Sequence, residues 1–243
     1  MKQMKWLVAA LLCAGLNTAC QSDSDSVNPD QNGLNPVDSK TLVNSEFRNS
    51  AESWSGDFAD YDEQQKDIME FSFKHDFLPA PLDRSKKALM ITGHNRSDDM
   101  FMFVKRKVTG LQPNTTYRLI FEVELASQYP EDGIGIGGSP GGSVYLKAGA
   151  SATEPAKVKK GTFFDFNLDK GNQAVGGRDA VLLGNVGIPG SDYSYKLIQR
   201  KNSEQGFAVT TNAQGELWLF VGTDSGFEGQ TTLYYNRIKV TVL

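Results

Sequence analysis

The side chains best suited to hold a ligand through hydrogen bonds gather in and beside two long glycine-rich stretches of the 243-residue chain. Residues 129–142, YPEDGIGIGGSPGG, form the first; residues 169–190 form the second and carry Asp169, Lys170, Asn172, Gln173, Arg178 and Asp179. Lys147 stands between them in the sequence. Carboxylate, amide, ammonium and guanidinium groups together donate to and accept from hydroxyls. Glycine lets backbone N–H groups approach a bound molecule, and long loops on a rigid scaffold commonly carry function. The stretches read either as plain connections or as binding loops, and the second reading assigns Lys147, Asp169, Asn172, Arg178 and Asp179 to a ligand. Trp54, in the polar setting ESWSGD, joins them as a half-exposed anchor or a stacking ring.

Catalytic motifs fail on their contexts. Gly133, Gly135 and Gly138 satisfy G-x-G-x-x-G, and Gly137 to Gly141 satisfies G-x-S-x-G, but both motifs must open a helix and Ser143 to Ala150 alternates as a strand. A phosphate loop also needs Lys where Ser143 stands. Both histidines, His75 and His94, precede Ser139, so the hydrolase order of serine, acid and histidine is not available. Widely spaced histidines without a mature thiol are a poor zinc set, and Asp98, Asp99, Asp224 and Glu228 lack the spacing of a calcium loop. Val144-Tyr145-Leu146-Lys147-Ala148-Gly149 resembles the Tyr-x-Lys-x-Gly strand of alginate lyases, while the other strands of that pattern are missing. A formal net charge of −4 lacks the basic footprint that nucleic acid requires.

The first twenty residues carry an address. Lys2 and Lys5 precede the apolar run Trp6 to Leu16, and Thr18-Ala19-Cys20 supplies small residues at a cut. The run is too short to span a bilayer, which takes about 20 apolar residues. It resembles a bacterial lipoprotein signal, with Asn17 where an aliphatic residue usually stands. The resemblance implies cleavage before Cys20, lipidation of that cysteine as the membrane anchor and, with Gln21 next, sorting to the outer membrane. An ordinary secretory cut near Ala19 is the alternative. The expected organisation is a signal peptide over 1–19, a lipidated Cys20 with a disordered Ser/Asp/Asn/Pro tether over 20–40, and one domain over 41–243.

Within that domain the period is two. Tyr117, Leu119, Phe121, Val123 and Leu125 alternate with Arg118, Glu122 and Glu124. Similar runs lie at 69–74, 100–108, 144–148, 164–168, 193–198, 216–221 and 233–242, with a turn at Gln112-Pro113-Asn114-Thr115 and room for one short helix in 50–67. The expected fold is an all-β antiparallel sandwich. Val108 to Tyr117, then Leu217 to Val221 and Thr231 to Val240, are similar to strands of galactose-binding-like jelly rolls, the fold of many carbohydrate-binding modules. That resemblance implies a carbohydrate ligand and a structural calcium near the first and last strands, where those families use Asp and this chain has Asn236. As a whole the chain also resembles uncharacterised exported bacterial proteins. The functional expectation is a lipid-anchored, non-catalytic envelope protein that binds carbohydrate or another surface polymer, with no cofactor beyond that calcium. An assembly lipoprotein holding a protein partner is the alternative, and a polysaccharide lyase comes third.

Overall fold

The computed structural model describes residues 40–243; the signal segment, Cys20 and the tether through residue 39 lie outside the described residues. Short alternating runs of β-branched and aromatic residues form strands because each offers one face for burial and one for water. In chain order they are β1 (Lys40–Ser45), β2 (Ser55–Ala59), β3 (Tyr61–Asp62), β4 (Ser72–Phe77), β5 (Lys87–His94), β6 (Phe101–Val108), β7 (Thr116–Ser127) and β8 (Val144–Ser151). There follow β9 (Lys157–Lys160), β10 (Phe163–Phe166), β11 (Ala180–Asn185), β12 (Lys196–Lys201), β13 (Phe207–Thr210), β14 (Leu217–Ser225) and β15 (Gln230–Val242). Lys40, assigned to the tether on sequence, opens β1 opposite Val242. The helix expected in 50–67 is instead β2 followed by a 3₁₀ helix at Glu63–Met69, capped by Asp62, whose carboxylate accepts from Gln64 N at 2.9 Å.

Two sheets make the sandwich. One places β5, β15, β7 and β12 side by side, and the other places β6, β14, β8 and β11 in matching order, all antiparallel. The chain passes from sheet to sheet along these eight strands except between β8 and β11, which is the jelly-roll arrangement of interlocked Greek keys. In the first sheet β4 lies beyond β5, β1 shares an edge of β15 with β5, and β13 shares an edge of β7 with β12. Between the sheets lie Leu119, Phe121, Val123 and Leu125 of β7, Leu89 and Ile91 of β5, Met102 and Val104 of β6, and Leu219 and Val221 of β14. Trp54 belongs to this core, which corrects its assignment as a half-exposed ring. Glu52 and Ser53 take positive φ and turn the chain, the indole packs edge-on against Phe47, and Nε1 donates to Ser45 Oγ at 3.0 Å.

β15 breaks phase once. Leu233 and Tyr235 face the core, and so do Ile238 and Val240, so one extra residue sits between the pairs. Across the ladder Tyr235 stands opposite Leu125 and Arg237 opposite the adjacent Glu124. A β-bulge of this kind re-aims side chains without disturbing the strand on either side.

The outer faces of the sheets differ. Phe101 and Phe103 of β6 and Phe220 of β14 point away from the core and are covered by Phe166, with ring centroids 4.8, 4.9 and 5.3 Å away. Phe166 belongs to a long excursion between β8 and β11 whose strands β9 and β10 pair with each other and, through β10, with β3. The second sheet is thereby covered on its outer face around these rings, while Lys107 and Trp218 lie beyond the cover. The first sheet carries a small apolar corner outside, Leu78, Ala88 and Ala126 with Tyr195 and Tyr234, and scattered outward residues such as Met90, Ile120 and Leu197 among polar ones. Phe166→Ala should cost about 3 kcal/mol, the low end for a buried phenylalanine. Chemical denaturation measures it, and limited proteolysis should then cut first within 152–179; unchanged stability would show that the cover does not depend on this ring.

Candidate functional site

The two glycine-rich stretches do meet. Pro130 and Ile188 form a parallel bridge, Glu131 N donates to Ile188 O at 3.1 Å, and Asn185 Nδ2 donates to Glu131 Oε1 at 2.9 Å. The second stretch, however, forms part of the cover of the second sheet. Asp169 N donates to Asp179 Oδ2 and Asp179 N to Asp169 O, closing residues 169–179 into an Ω-loop. Asp169 Oδ1 accepts from Gly171 N and Oδ2 from Arg178 N, and these backbone donors hold its carboxyl below the usual range. Asp179 also takes the exposed Arg178 guanidinium at 2.9 Å. Asn172 is exposed at the loop's outer turn.

Lys147 plugs this loop from beneath. Its side chain is fully buried, and Nζ donates to Lys170 O at 2.9 Å, Val175 O at 3.0 Å and Asp224 Oδ2 at 2.8 Å. All three ammonium protons are taken, so Lys147 is a structural cation and its assignment to a ligand is corrected. The same burial removes it from the role that a Tyr-x-Lys-x-Gly strand would give it in a lyase. Lys170 completes the cluster, reaching Asp224 Oδ2 at 2.9 Å and Asp60 Oδ2 at 3.2 Å above the Phe101 ring. Burial pushes Lys147 below the ordinary lysine range, with Asp224 opposing, and pushes the Asp60 carboxyl up. Burial acts on Lys170 in the same downward sense, but Asp224 and Asp60 outweigh it and hold its ammonium above 10.5. Of the sequence-assigned residues, Arg178 and Asp179 alone line an open groove, of about 350 Å³, with Thr116, Ser151, Phe207 and Thr210.

Another depression lies on the open face of the first sheet, and the bulge in β15 makes its centre. β5 accompanies β15 as far as Tyr235, and β1 takes over the same edge from Ile238, so residues 236 and 237 face a notch between two strand ends. Glu46 and Arg48 enter the notch just past β1, Lys86 and Lys87 at the start of β5, and Glu124, Asn236 and Arg237 form its floor; the volume is about 280 Å³. Arg237 is shared with a second depression of about 210 Å³ between Glu122, Gln199, Arg200 and Lys201. Glu46 and Arg48 are shared with a third, of about 490 Å³, bounded by Asn44, Asn49, Ser50 and Glu52. Through these shared residues the three adjoin one another across the strands, over about 15 to 20 Å at ~4.8 Å per strand. At their centre Glu124 is fixed by two amides, accepting from Asn236 Nδ2 on one oxygen and from Gln199 Nε2 at 3.1 Å on the other.

None of Lys87, Glu124, Gln199 and Arg237 was singled out from the sequence as a site residue, since alternate polar residues on a strand read as a solvated face. Asn236 was noted only for calcium, and in the structure its amide nitrogen is turned to Glu124. The detectable signal was the spacing of Leu233, Tyr235, Ile238 and Val240, which departs from two by one residue.

No family model matches the chain, and no curated protein matches it. Solved structures do. The mannan-recognising carbohydrate-binding module TmCBM27 is similar with 9% identity over 84% of this chain and 98% of that one, at a TM-score of 0.40. The enzymatically active domain of tailspike protein 4 of bacteriophage CBA120 is similar with 10% identity over 84% of this chain, TM-score 0.37. A structure of carbohydrate-binding modules of the β-sandwich superfamily shows 11% identity over 79% of this chain, TM-score 0.37. The chain spans 21% of the tailspike chain and 58% of the last.

The charge cluster sets a pH dependence. A lysine whose folded pKa is raised contributes stability that is complete below its unfolded value of 10.5 and lost as pH rises through the folded value. Lys170→Met should therefore unfold more easily at neutral pH yet show a flatter fall in thermal midpoint above about pH 10.5 than the wild type. Parallel alkaline slopes in the two proteins would remove Lys170 as the origin.

Proposed function

We propose that the protein is a lipid-anchored, non-catalytic binding protein of the cell envelope whose open sheet face holds a carbohydrate chain. The observation that carries this reading is the row of three adjoining depressions on this face, with Glu124 held at the centre by two amides. An extended polymer fits a row of that length, whereas a compact small molecule needs an enclosing pocket. Amide, carboxylate and guanidinium groups recognise hydroxyls in a plane, and Glu124, held by Asn236 and Gln199, is already oriented for it.

The state of the groups on which a lyase would draw supports the non-catalytic part. His75 Nε2 lies 2.6 Å from Phe47 O, His94 Nδ1 lies 3.0 Å from Arg96, and Lys147 is sealed. The protein-partner reading has one observation of its own, at the tip of the first glycine-rich loop. Ile134 and Ile136 are 97% and 72% exposed there, and Tyr193, 57% exposed, lies beside Gly133.

On a glycan array the purified protein should bind at least one polymer, and Glu124→Ala or Asn236→Ala should weaken that binding about tenfold, as loss of a central contact does. Arg178→Ala and Asp179→Ala should leave it unchanged. The reverse pattern would move the site to the groove beside Phe207, and no binding at all, with a protein cross-linked through Ile134 or Ile136 in cells, would favour assembly. Anchoring at Cys20 has a separate readout: Cys20→Ser should accumulate as soluble protein or unprocessed precursor. An unmodified mature N-terminus on the wild type, found by mass spectrometry, would exclude the lipid anchor.

A further inference from the structure

Arg237 and Glu124 stand directly opposite each other in the ladder, the position in which opposite charges on neighbouring strands attract. Among the described residues no ion pair joins them. The carboxylate of Glu124 accepts instead from the neutral amides of Asn236 and Gln199, one on each oxygen. Lys87, across the notch, is likewise without an ion pair: its ammonium lies 4.8 Å above the Phe77 ring and, among the described residues, reaches no carboxylate. On the second sheet and its cover some cations are matched, as in Lys105 with Glu154 at 2.6 Å, Lys107 with Glu216 at 2.8 Å and Lys157 with Asp57 at 2.6 Å, whereas on the first sheet Lys74, Arg118, Lys196 and Arg200 share with Arg237 and Lys87 the lack of an ion pair among the described residues. The notch also holds Lys86, whose Asp83 partner is 3.8 Å away, and Arg48, paired with Glu46 at 2.6 Å. Four cations and two carboxylates therefore line it, one carboxylate in an ion pair and the other held by amides, in a protein of net charge −4. No aromatic ring is among the lining residues, so stacking on a neutral sugar is not what the notch offers.

We infer that the notch reads the carboxylate of an acidic sugar, so that the ligand is a uronate-containing polysaccharide. Arg237 presents its planar fork to both carboxylate oxygens, Lys87 adds a second positive charge from the opposite wall, and Glu124 accepts a hydroxyl of the same chain. Two cations without a carboxylate partner, on neighbouring strands, give the acid an advantage over its neutral counterpart. This inference rests on the proposed function, since it names the polymer class for the same face.

The test compares polygalacturonate, alginate and hyaluronate, each beside its carboxyl-reduced neutral form, by titration calorimetry with the purified protein. At least one acidic polymer should bind, carboxyl reduction should weaken it tenfold or more, and added salt should weaken the acidic form selectively. Arg237→Gln should lose about tenfold on the acidic polymer with an unchanged thermal midpoint, and Arg237→Lys, which keeps charge without the fork, should fall between the two. Equal affinity for acidic and reduced forms, or an Arg237→Gln protein that binds the acid as the wild type does, would overturn the inference while leaving glycan binding at this face intact. Binding of dextran sulfate that exceeds every uronate and ignores Arg237→Gln would overturn it as well, marking non-specific attraction. If neither acidic nor neutral polymers bind, the proposed function falls with it.

Discussion

A buried group of two lysines and two aspartates organises the second sheet's outer side. Lys147, Lys170, Asp60 and Asp224 would each be costly to bury alone, and removing one partner from such a group leaves an uncompensated charge in a dry interior. Together they balance. Asp224 Oδ2 takes three donors, the two ammonium groups and Gln173 N at 2.9 Å, while its Oδ1 is buried without a partner. This lopsided carboxylate holds both the base of the loop and its far turn. The carbonyls of Lys170 and Val175, which a loop lying on an apolar sheet would leave unsatisfied, are met by Lys147 from the strand below. Loop, cover and sheet face are therefore one unit.

That unit creates the asymmetry between the faces. The second sheet presents phenylalanines outward and must be roofed, so that part of its surface is closed to a polymer. The first sheet buries apolar side chains inward and leaves Glu122, Glu124, Arg237 and Lys239 in water, tied by exposed pairs such as Lys239 with Glu122 at 3.3 Å that contribute little to stability. Polar chemistry on this face is cheap in stability terms, because nothing in the core depends on which hydrogen-bonding residue occupies each outward position.

Much of the fold was legible because the period-two runs are long and β-branched: Tyr117 to Leu125 forms the middle of β7, and the turn at Gln112 to Thr115 leads into it. Less of the site could be read. Glycine-rich loops with charged residues look like binding loops, yet Asp169, Asp179 and Lys147 serve their own backbone and each other. A charge cluster formed by residues as distant as Asp60 and Asp224 has no local signature. Trp54 looked exposed because its neighbours are polar, and the two left-handed residues that turn its ring inward are not of types that announce such a bend. The notch depends on which strand lies next to which, a property of topology that no single segment carries.

The bulge at Asn236 is also a single residue in length. Without that one residue, Leu233, Tyr235, Ile238 and Val240 would fall on a strict alternation, while Glu124 would lose one of the two amides it accepts from. A single inserted codon separates a plain sandwich strand from one that opens a notch. One residue thus carries the notch, while the alternation that fills the core is kept on either side of it.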